Sequence, residues 1–380
     1  MISFELTDEQ RVLRETARRF AQKEIAPIAG ELDERGEFPR ALYQKAFDAG
    51  LMNDLVPAEY GGGGLSALDN TLIKEEIAAG DAGVATTFGG NNLAATPIII
   101  AGNEAQKEQY LGGQTSKLSF AGFCLTEPGS GSDAAGLATQ YEKRGDKYIL
   151  NGSKAFITNG GVADYFTVFA TADRSQRAKA ISGFIVSADT PGVVPGKEEN
   201  KMGHRASNTT TISFQDAEIP AGNLLGEEGE GFKIAMKTLD RTRPGIGALA
   251  VGVAKAALAH AAAYAKERKS FGQPLAEHQG VQFMLAEMAR DIEVARLATW
   301  QAAWMVDQGK HSGKESAIAK LFSTDAAMRI TTDAVQIFGG YGYMKDYPVE
   351  KLMRDAKLLQ IYEGTNQVQR LVIARSVLRE

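Results

Sequence analysis

Gly145-Asp146-Lys147-Tyr148-Ile149-Leu150-Asn151-Gly152-Ser153-Lys154-Ala155-Phe156-Ile157-Thr158-Asn159 lies where apolar residues stop recurring at helical spacing and begin to alternate. The change sets in near Phe120. Gly145-Asp146 and Asn151-Gly152 carry the chemistry of two-residue hairpin turns, and Lys147 to Leu150 and Ala155 to Thr158 are the β-rich runs beside them. Tyr165 to Thr171, Gly183 to Val186 and Thr210 to Phe214 read as further strands, punctuated by Pro191-Gly192 and Pro195-Gly196. Consecutive strands joined by short turns predict an antiparallel sheet or barrel.

On both sides of this insert the period is helical. Thr7 precedes an amphipathic run to about Ala29, Pro39 opens a helix to Ala49, and Gly61 to Gly64 form a loop before a helix from about Ala67 to Ala79. Asn91 to Ile100 and Ala105 to Leu111 continue the pattern. After Pro220 come long segments, Phe232 to Glu267, Glu277 to Asp307, Lys314 to Phe338 and Pro348 to Leu359, then a last helix. Their short connections are those of a bundle. The chain therefore reads as α+β in three parts: helical over 1–119, β over 120–229 and a helical bundle over 230–380.

The 380 residues allow a sizeable core, and 44% hydrophobic with 23% charged residues is a globular composition. A formal charge of -5 without a basic block argues against nucleic acid. Cys124 stands alone, so an intrachain disulfide is excluded and a reducing compartment expected. With His204, His260, His278 and His311 scattered, no metal cage is spelled out. Gly247 to Ala265 is apolar but carries Lys255 and His260 and is rich in Ala, which suits helix packing rather than a membrane. Met1-Ile2-Ser3-Phe4 leads straight into an amphipathic pattern without signal or transit character, so bacterial cytoplasm is expected over a mature mitochondrial matrix protein.

Chemistry concentrates in a few stretches. In Leu359-Gln-Ile-Tyr-Glu-Gly-Thr-Asn-Gln367 a lone carboxylate, Glu363, sits between two helices, with Gly364 as the break and Thr365 as N-cap. Held out of water it would have a raised pKa and suit proton abstraction; in the open it would be an ordinary solvated residue. Phe123 to Asp133 runs from an apolar strand into the glycines and hydroxyls of Thr-Glu-Pro-Gly-Ser-Gly-Ser-Asp, where backbone amides can approach a planar or anionic ligand, or simply turn. Phe156 and Thr158 share one face of their strand, fit to flank a planar ring or to fill a core. Glu267-Arg-Lys-Ser-Phe-Gly272 with His278-Gln279, and Gln336-Ile-Phe-Gly-Gly340, place polar groups and glycines at helix ends, where phosphate binds. No GxGxxG or Walker sequence occurs.

Taken together, LTEPGSGSD, FITN, RKSFG, QIFGGYGY and IYEGT resemble the acyl-CoA dehydrogenase family, its medium-chain type most closely. The resemblance implies an N-terminal α-domain, a middle β-domain and a C-terminal four-helix bundle, FAD held between the last two, and a homotetramer in which FAD also touches a neighbouring subunit. It implies that Leu125, Thr126, Phe156, Ile157 and Thr158 meet the flavin ring, with Gly131 and Ser132 near pyrophosphate and substrate. Arg268, Ser270, Phe271, His278, Gln279, Gln336, Ile337, Gly339 and Gly340 match the subunit-boundary region that holds the rest of FAD, and Thr365, Asn366 and Gln367 follow the base. Glu363 matches the catalytic base, which removes a Cα proton of an acyl-CoA as hydride leaves Cβ. Ser132, Asp240, Arg243, Tyr362, Gly364 and Arg375 match substrate contacts, and electron-transfer flavoprotein is the implied acceptor.

Some members carry the base on the helix that here contains Asp240-Arg-Thr-Arg-Pro244; the matching residue is Thr242, which cannot serve. The flavin-flanking aromatic is often Trp and is Phe156 here. Gly89 stands where the medium-chain type has a polar pocket-floor residue, so a deeper pocket and tolerance of longer chains are expected. An acyl-CoA oxidase reoxidised by O2, and a catalytically silent scaffold, are the alternative readings.

Overall fold

The structure, a computed structural model, describes residues 5–310 and 312–379. Met1 to Phe4, His311 and Glu380 lie outside the described residues.

The N-terminal unit begins at α1 (Asp8–Phe20), where Thr7 accepts from Gln10 N and Gln10 caps back onto Thr7 N. A π-turn over Ala21–Ile25 and a short 3-10 turn carry the chain into α2 (Ala29–Arg35), which extends past the expected end. α3 (Arg40–Asp48) and α4 (Ala67–Gly80) follow, then α5 (Ala82–Ala101), which starts well before Asn91 because Asp81 caps it through Val84 N. Two short helices, α6 (Glu104–Gln106) and α7 (Gly113–Ser116), flank a second π-turn.

Eight strands make the middle sheet: β1 (Ala121–Cys124), β2 (Gln140–Arg144), β3 (Lys147–Thr158), β4 (Tyr165–Thr171), β5 (Ile181–Ser187), β6 (Val193–Pro195), β7 (Thr209–Pro220) and β8 (Leu224–Leu225). Their order is β6-β7-β3-β2-β4-β5-β8, with β1 beside β4. Two of the sequence expectations change. The sheet has free ends at β6 and β8, so it is not a closed barrel, and β1 and β2 run parallel to β4, so it is mixed. Gly145-Asp146 does turn the β2–β3 hairpin, but Asn151-Gly152 lies inside one continuous strand. There the register against β7 shifts, Asn151 and Asp216 exchange hydrogen bonds at 2.9 Å, and Gly152 takes φ +149 against Thr139. The Asn-Gly pair makes a bulge, because its partner strand is already supplied from β7.

Every residue of β4 is buried. One face packs with Tyr148, Phe184 and Phe214, the other with Ala94 and Ile98 of α5 and with Ile234 and Leu239.

The C-terminal bundle consists of α8 (Gly231–Glu267), α9 (Gln279–Asp307), α10 (Gly313–Phe338), α11 (Val349–Leu359) and α12 (Asn366–Val377), with the small β9 (Lys269–Ser270)–β10 (Gln273–Pro274) hairpin after α8. Among the described residues α8 alone is long and apolar enough to cross a membrane, and most of its apolar stretch is buried inside the protein. It packs on α4 as closely as backbone permits: a Cβ on Gly252 would lie 2.3 Å from Glu75 O. That contact brings α4 of the first unit against the middle of α8, where the site forms.

Candidate active site

Between α11 and α12 the chain turns through Ile361 to Thr365, and Thr365 caps α12 by accepting from Val368 N at 3.3 Å. Glu363 takes φ +52 and Gly364 φ +90. A non-glycine residue in the left-handed region stores on the order of 1–3 kcal/mol of strain and persists only where its surroundings fix it. Here they do. Glu363 O accepts from Gln369 Nε2 at 3.3 Å and Arg243 Nε at 3.5 Å, and Gly364 O accepts from Lys320 Nζ and Gln369 Nε2, each at 2.9 Å.

The Glu363 carboxylate accepts from Thr242 Oγ1 at 2.8 Å and faces a cavity of ≈ 470 Å³. Burial pushes its pKa up; the positive charge of Lys74, the Thr242 hydroxyl, Arg243 and Lys320 pull the other way. Arg243 is buried and its guanidinium is engaged by Asp240 at 2.6 Å. Beside Glu363, the half-buried Tyr362 has its hydroxyl 3.5 Å from Thr86 Oγ1, which meets His204 Nδ1 at 2.8 Å.

The opposite wall comes from the β-domain. Leu125, Thr126, Gly131, Ser132, Phe156, Ile157 and Thr158 all line this cavity with Tyr362, Glu363, Gly364, Arg243 and Arg375. Phe156 is 67% exposed, with φ +58, because a second register shift of β3 between Lys154 and Ile157 turns it off the strand while Ile157 packs inward. The glycine-rich turn is fixed from below. Glu127, buried, pairs with Lys154 at 2.7 Å and accepts from Ala138 N and Thr139 N. Its role in that motif is to shape the loop.

The other expected site residues lie elsewhere. Asp240 does not line the cavity; it reaches it through Arg243. Asn366 is buried between α12 and α10, bonded to Lys320, Thr324 and Asp325, while Gln367 is exposed. Arg268, Ser270, Phe271, His278, Gln279, Gln336, Ile337, Gly339 and Gly340 gather around the far end of α8 and α10. Arg268 sits over the Tyr341 ring, His278 Nε2 is 3.1 Å from Ser270 O, and Ile337 packs in the core rather than facing a ligand. The run from Lys320 to Gln336 along α10 is roughly 24 Å. The far cluster is thus well separated from Glu363.

Sequence reasoning missed Lys74. It is buried in α4, lines the same cavity, and a Cβ on Gly89 would meet its Nζ at 3.4 Å and its Cε at 3.7 Å. The space expected to deepen the pocket at Gly89 is therefore bounded by Lys74. Followed directly by Glu75 and Glu76, Lys74 reads in the sequence as one of a cluster of surface charges, so no local signal set it apart.

Comparisons with known proteins agree along the whole chain. Residues 7–117, 122–217 and 229–378 match family models described as the N-terminal, middle and C-terminal domains of acyl-CoA dehydrogenase. A Bacillus subtilis protein named acyl-CoA dehydrogenase is 49% identical over 374 residues, 98% of this chain and 99% of its own length. The solved butyryl-CoA dehydrogenase of Megasphaera elsdenii is 46% identical, with a TM-score of 0.97 and full coverage of both chains. A chain solved in work on the electron transferring flavoprotein of Acidaminococcus fermentans and flavin-based electron bifurcation is 48% identical, with a TM-score of 0.97 and the same coverage.

Proposed function

The chain belongs to the acyl-CoA dehydrogenase family, and we propose that Glu363 is the base with which it takes a Cα proton from an acyl-CoA thioester. The activity is FAD-dependent conversion of an acyl-CoA to its trans-2-enoyl-CoA, with electrons passed on to electron-transfer flavoprotein. The single observation that carries the role of Glu363 is its position: a half-buried carboxylate, raised in pKa, held at 2.8 Å by Thr242 in a cavity that is also lined by the exposed aromatic Phe156 and by the hydroxyls of Thr126, Ser132 and Thr158.

The residues present fit FAD. Phe156 offers an exposed apolar face with Leu125 and the Ile157 backbone segment beside it, Thr126, Thr158 and Ser132 offer hydroxyls, and a Cβ at Gly131 would meet nothing within 4 Å, leaving room for a phosphate-bearing chain. When bound, FAD accepts the hydride leaving Cβ. The protein's part is acid-base and positional. Thr242 orients the carboxylate, Arg243 and Gln369 hold the backbone of Glu363, and substrate filling the cavity expels water and drives the carboxylate towards the basicity of its proton donor. The developing negative charge on the thioester oxygen needs a donor fixed in place, and the N–H of Glu363, pinned in its strained turn, is suited to that.

The far cluster supports a homotetramer. At roughly 24 Å along α10 from the residues that pin the Glu363 turn, Arg268, Phe271 and Gln336 would serve the FAD of a neighbouring copy, and Phe271 is 97% exposed for such a contact. The β-oxidation role and a bacterial cytoplasmic location, in keeping with the Bacillus subtilis relative, belong to the same reading.

Anaerobic addition of acyl-CoAs to the purified protein tests it. Bleaching of the flavin by wild type and not by Glu363→Gln supports the base; equal bleaching by both removes Glu363 from the role. Stoichiometric peroxide in air would favour an oxidase, and a colourless protein a scaffold.

A further inference from the structure

Four lysines are buried among the described residues, and three have partners. Lys154 pairs with Glu127 at 2.7 Å, Lys351 lies 2.6 Å from Asp81 and 2.7 Å from Asp355, and Lys320 donates to Gly364 O and Asn366 Oδ1 at 2.9 and 2.8 Å. Lys74 is 5% exposed, yet its ammonium makes no hydrogen bond or ion pair with any of the described residues. Asp54, a nearby carboxylate, is occupied by Asn70 at 2.6 Å and Asn92 at 2.5 Å. The ammonium lies between α5 and α8 where both are glycine, close enough that a Cβ on Gly245 would come within 2.5 Å of it. It stands at the wall of the Glu363 cavity, whose lining also includes the apolar Leu93, Phe232, Met236 and Leu239.

An ammonium taken out of water without a partner is strongly unfavourable, and burial lowers the pKa of Lys74, so a ligand that brings an anionic acceptor to it is what stabilises the charged form in this cavity. A methyl-ended acyl chain packed there would leave the cation dry. A neutral acceptor would satisfy one of its three donors and none of its charge, whereas a carboxylate satisfies both. We propose that Lys74 reads the far end of the acyl group, and that the preferred substrate is a short acyl-CoA whose tail ends in a carboxylate. This rests on the dehydrogenase reading above. Lys74 and Glu363 line the same cavity, so one acyl group can meet both.

The test compares anaerobic flavin bleaching of the FAD-loaded wild type, Lys74→Met and Lys74→Arg. The substrates are butyryl- and hexanoyl-CoA and the mono-CoA thioesters of pentanedioic and hexanedioic acids. Wild type is expected to show kcat/KM at least about ten-fold higher for carboxylate-ended than for methyl-ended chains. Lys74→Met should lower that ratio by at least about ten-fold, and Lys74→Arg should keep it. A wild-type preference for methyl-ended chains overturns the proposal, with no variant needed. An equal slowing of both series by Lys74→Met also overturns it, since Lys74 would then act only as a counter-charge to Glu363. Bleaching by no acyl-CoA would sink the dehydrogenase reading itself, whereas bleaching by methyl-ended chains alone sinks only this inference.

Discussion

Thr242 Oγ1 donates to Glu363 Oε2 across 2.8 Å, joining the middle of α8 to the turn between α11 and α12. The hydroxyl favours the ionised carboxylate, the form that can accept a proton, and it opposes the upward pull of burial.

Thr242→Val keeps the shape and removes the donor. The pH dependence of flavin reduction should move to higher pH, because Glu363 then ionises later, and the rate at neutral pH should fall roughly ten-fold, the worth of one hydrogen bond to a charged group. Thr242→Ser should restore both. Stopped-flow bleaching across a pH series reads the outcome, and an unmoved profile in Thr242→Val would mean that the contact does not tune Glu363.

Gly364→Ala strikes the backbone of the same turn. Gly364 has φ +90, and a Cβ there would lie 2.6 Å from Gln369 Nε2, which holds Glu363 O and Gly364 O. The substitution should destabilise by about 1–3 kcal/mol and also displace the Glu363 carboxylate. Thermal unfolding and turnover should therefore fall together, whereas an enzyme with native kcat would show that the turn relaxes without moving the carboxylate.

Lys320 gives a stability prediction with a definite sign. Burial lowers its pKa from 10.5 to about 7. As pH falls from 10.5, the unfolded chain takes up this proton before the folded one does, so folding loses stability across the window down to about 7. Lys320→Met removes the titration. Relative to wild type, the variant should gain on the order of 3 kcal/mol between pH 10 and pH 7 in urea unfolding, whatever it loses at every pH from the missing bonds to Gly364 and Asn366. A pH-independent difference would mean that Lys320 stays charged inside the fold.

Much of this was legible in the sequence where the signal was local. β4 occupies Tyr165–Thr171 as expected, and the long bundle helices begin and end within about two residues of their predicted bounds, since period, caps and glycine stops are carried by neighbouring residues. The motifs around Thr126, Phe156 and Glu363 did converge on one cavity. What failed was set by distant partners. Asn151-Gly152 has hairpin chemistry, but β7 pairs along both sides of it and turns it into a bulge. The hold of Thr242 on Glu363 spans 121 positions, and the burial of Lys74 depends on α4 meeting α8 at Gly245 and Gly252, neither of which periodicity can express.

Phe271 bears on assembly. It sits at the tip of the β9–β10 hairpin with φ +49 and a 97% exposed ring, its one described aromatic contact being His278 at 6.2 Å. A large apolar side chain held out in a strained conformation is unfavourable in a monomer and is accounted for if a second copy covers it. Since the ring contributes almost nothing to the fold of its own chain, Phe271→Asp should leave helix content intact. It should weaken FAD retention and lower the mass seen in light scattering below that of the proposed homotetramer, four times the 40.7 kDa chain. A variant that remains tetrameric and yellow would show that Phe271 neither joins the copies nor reaches the cofactor. The separation of the far cluster from Glu363 would then need another explanation.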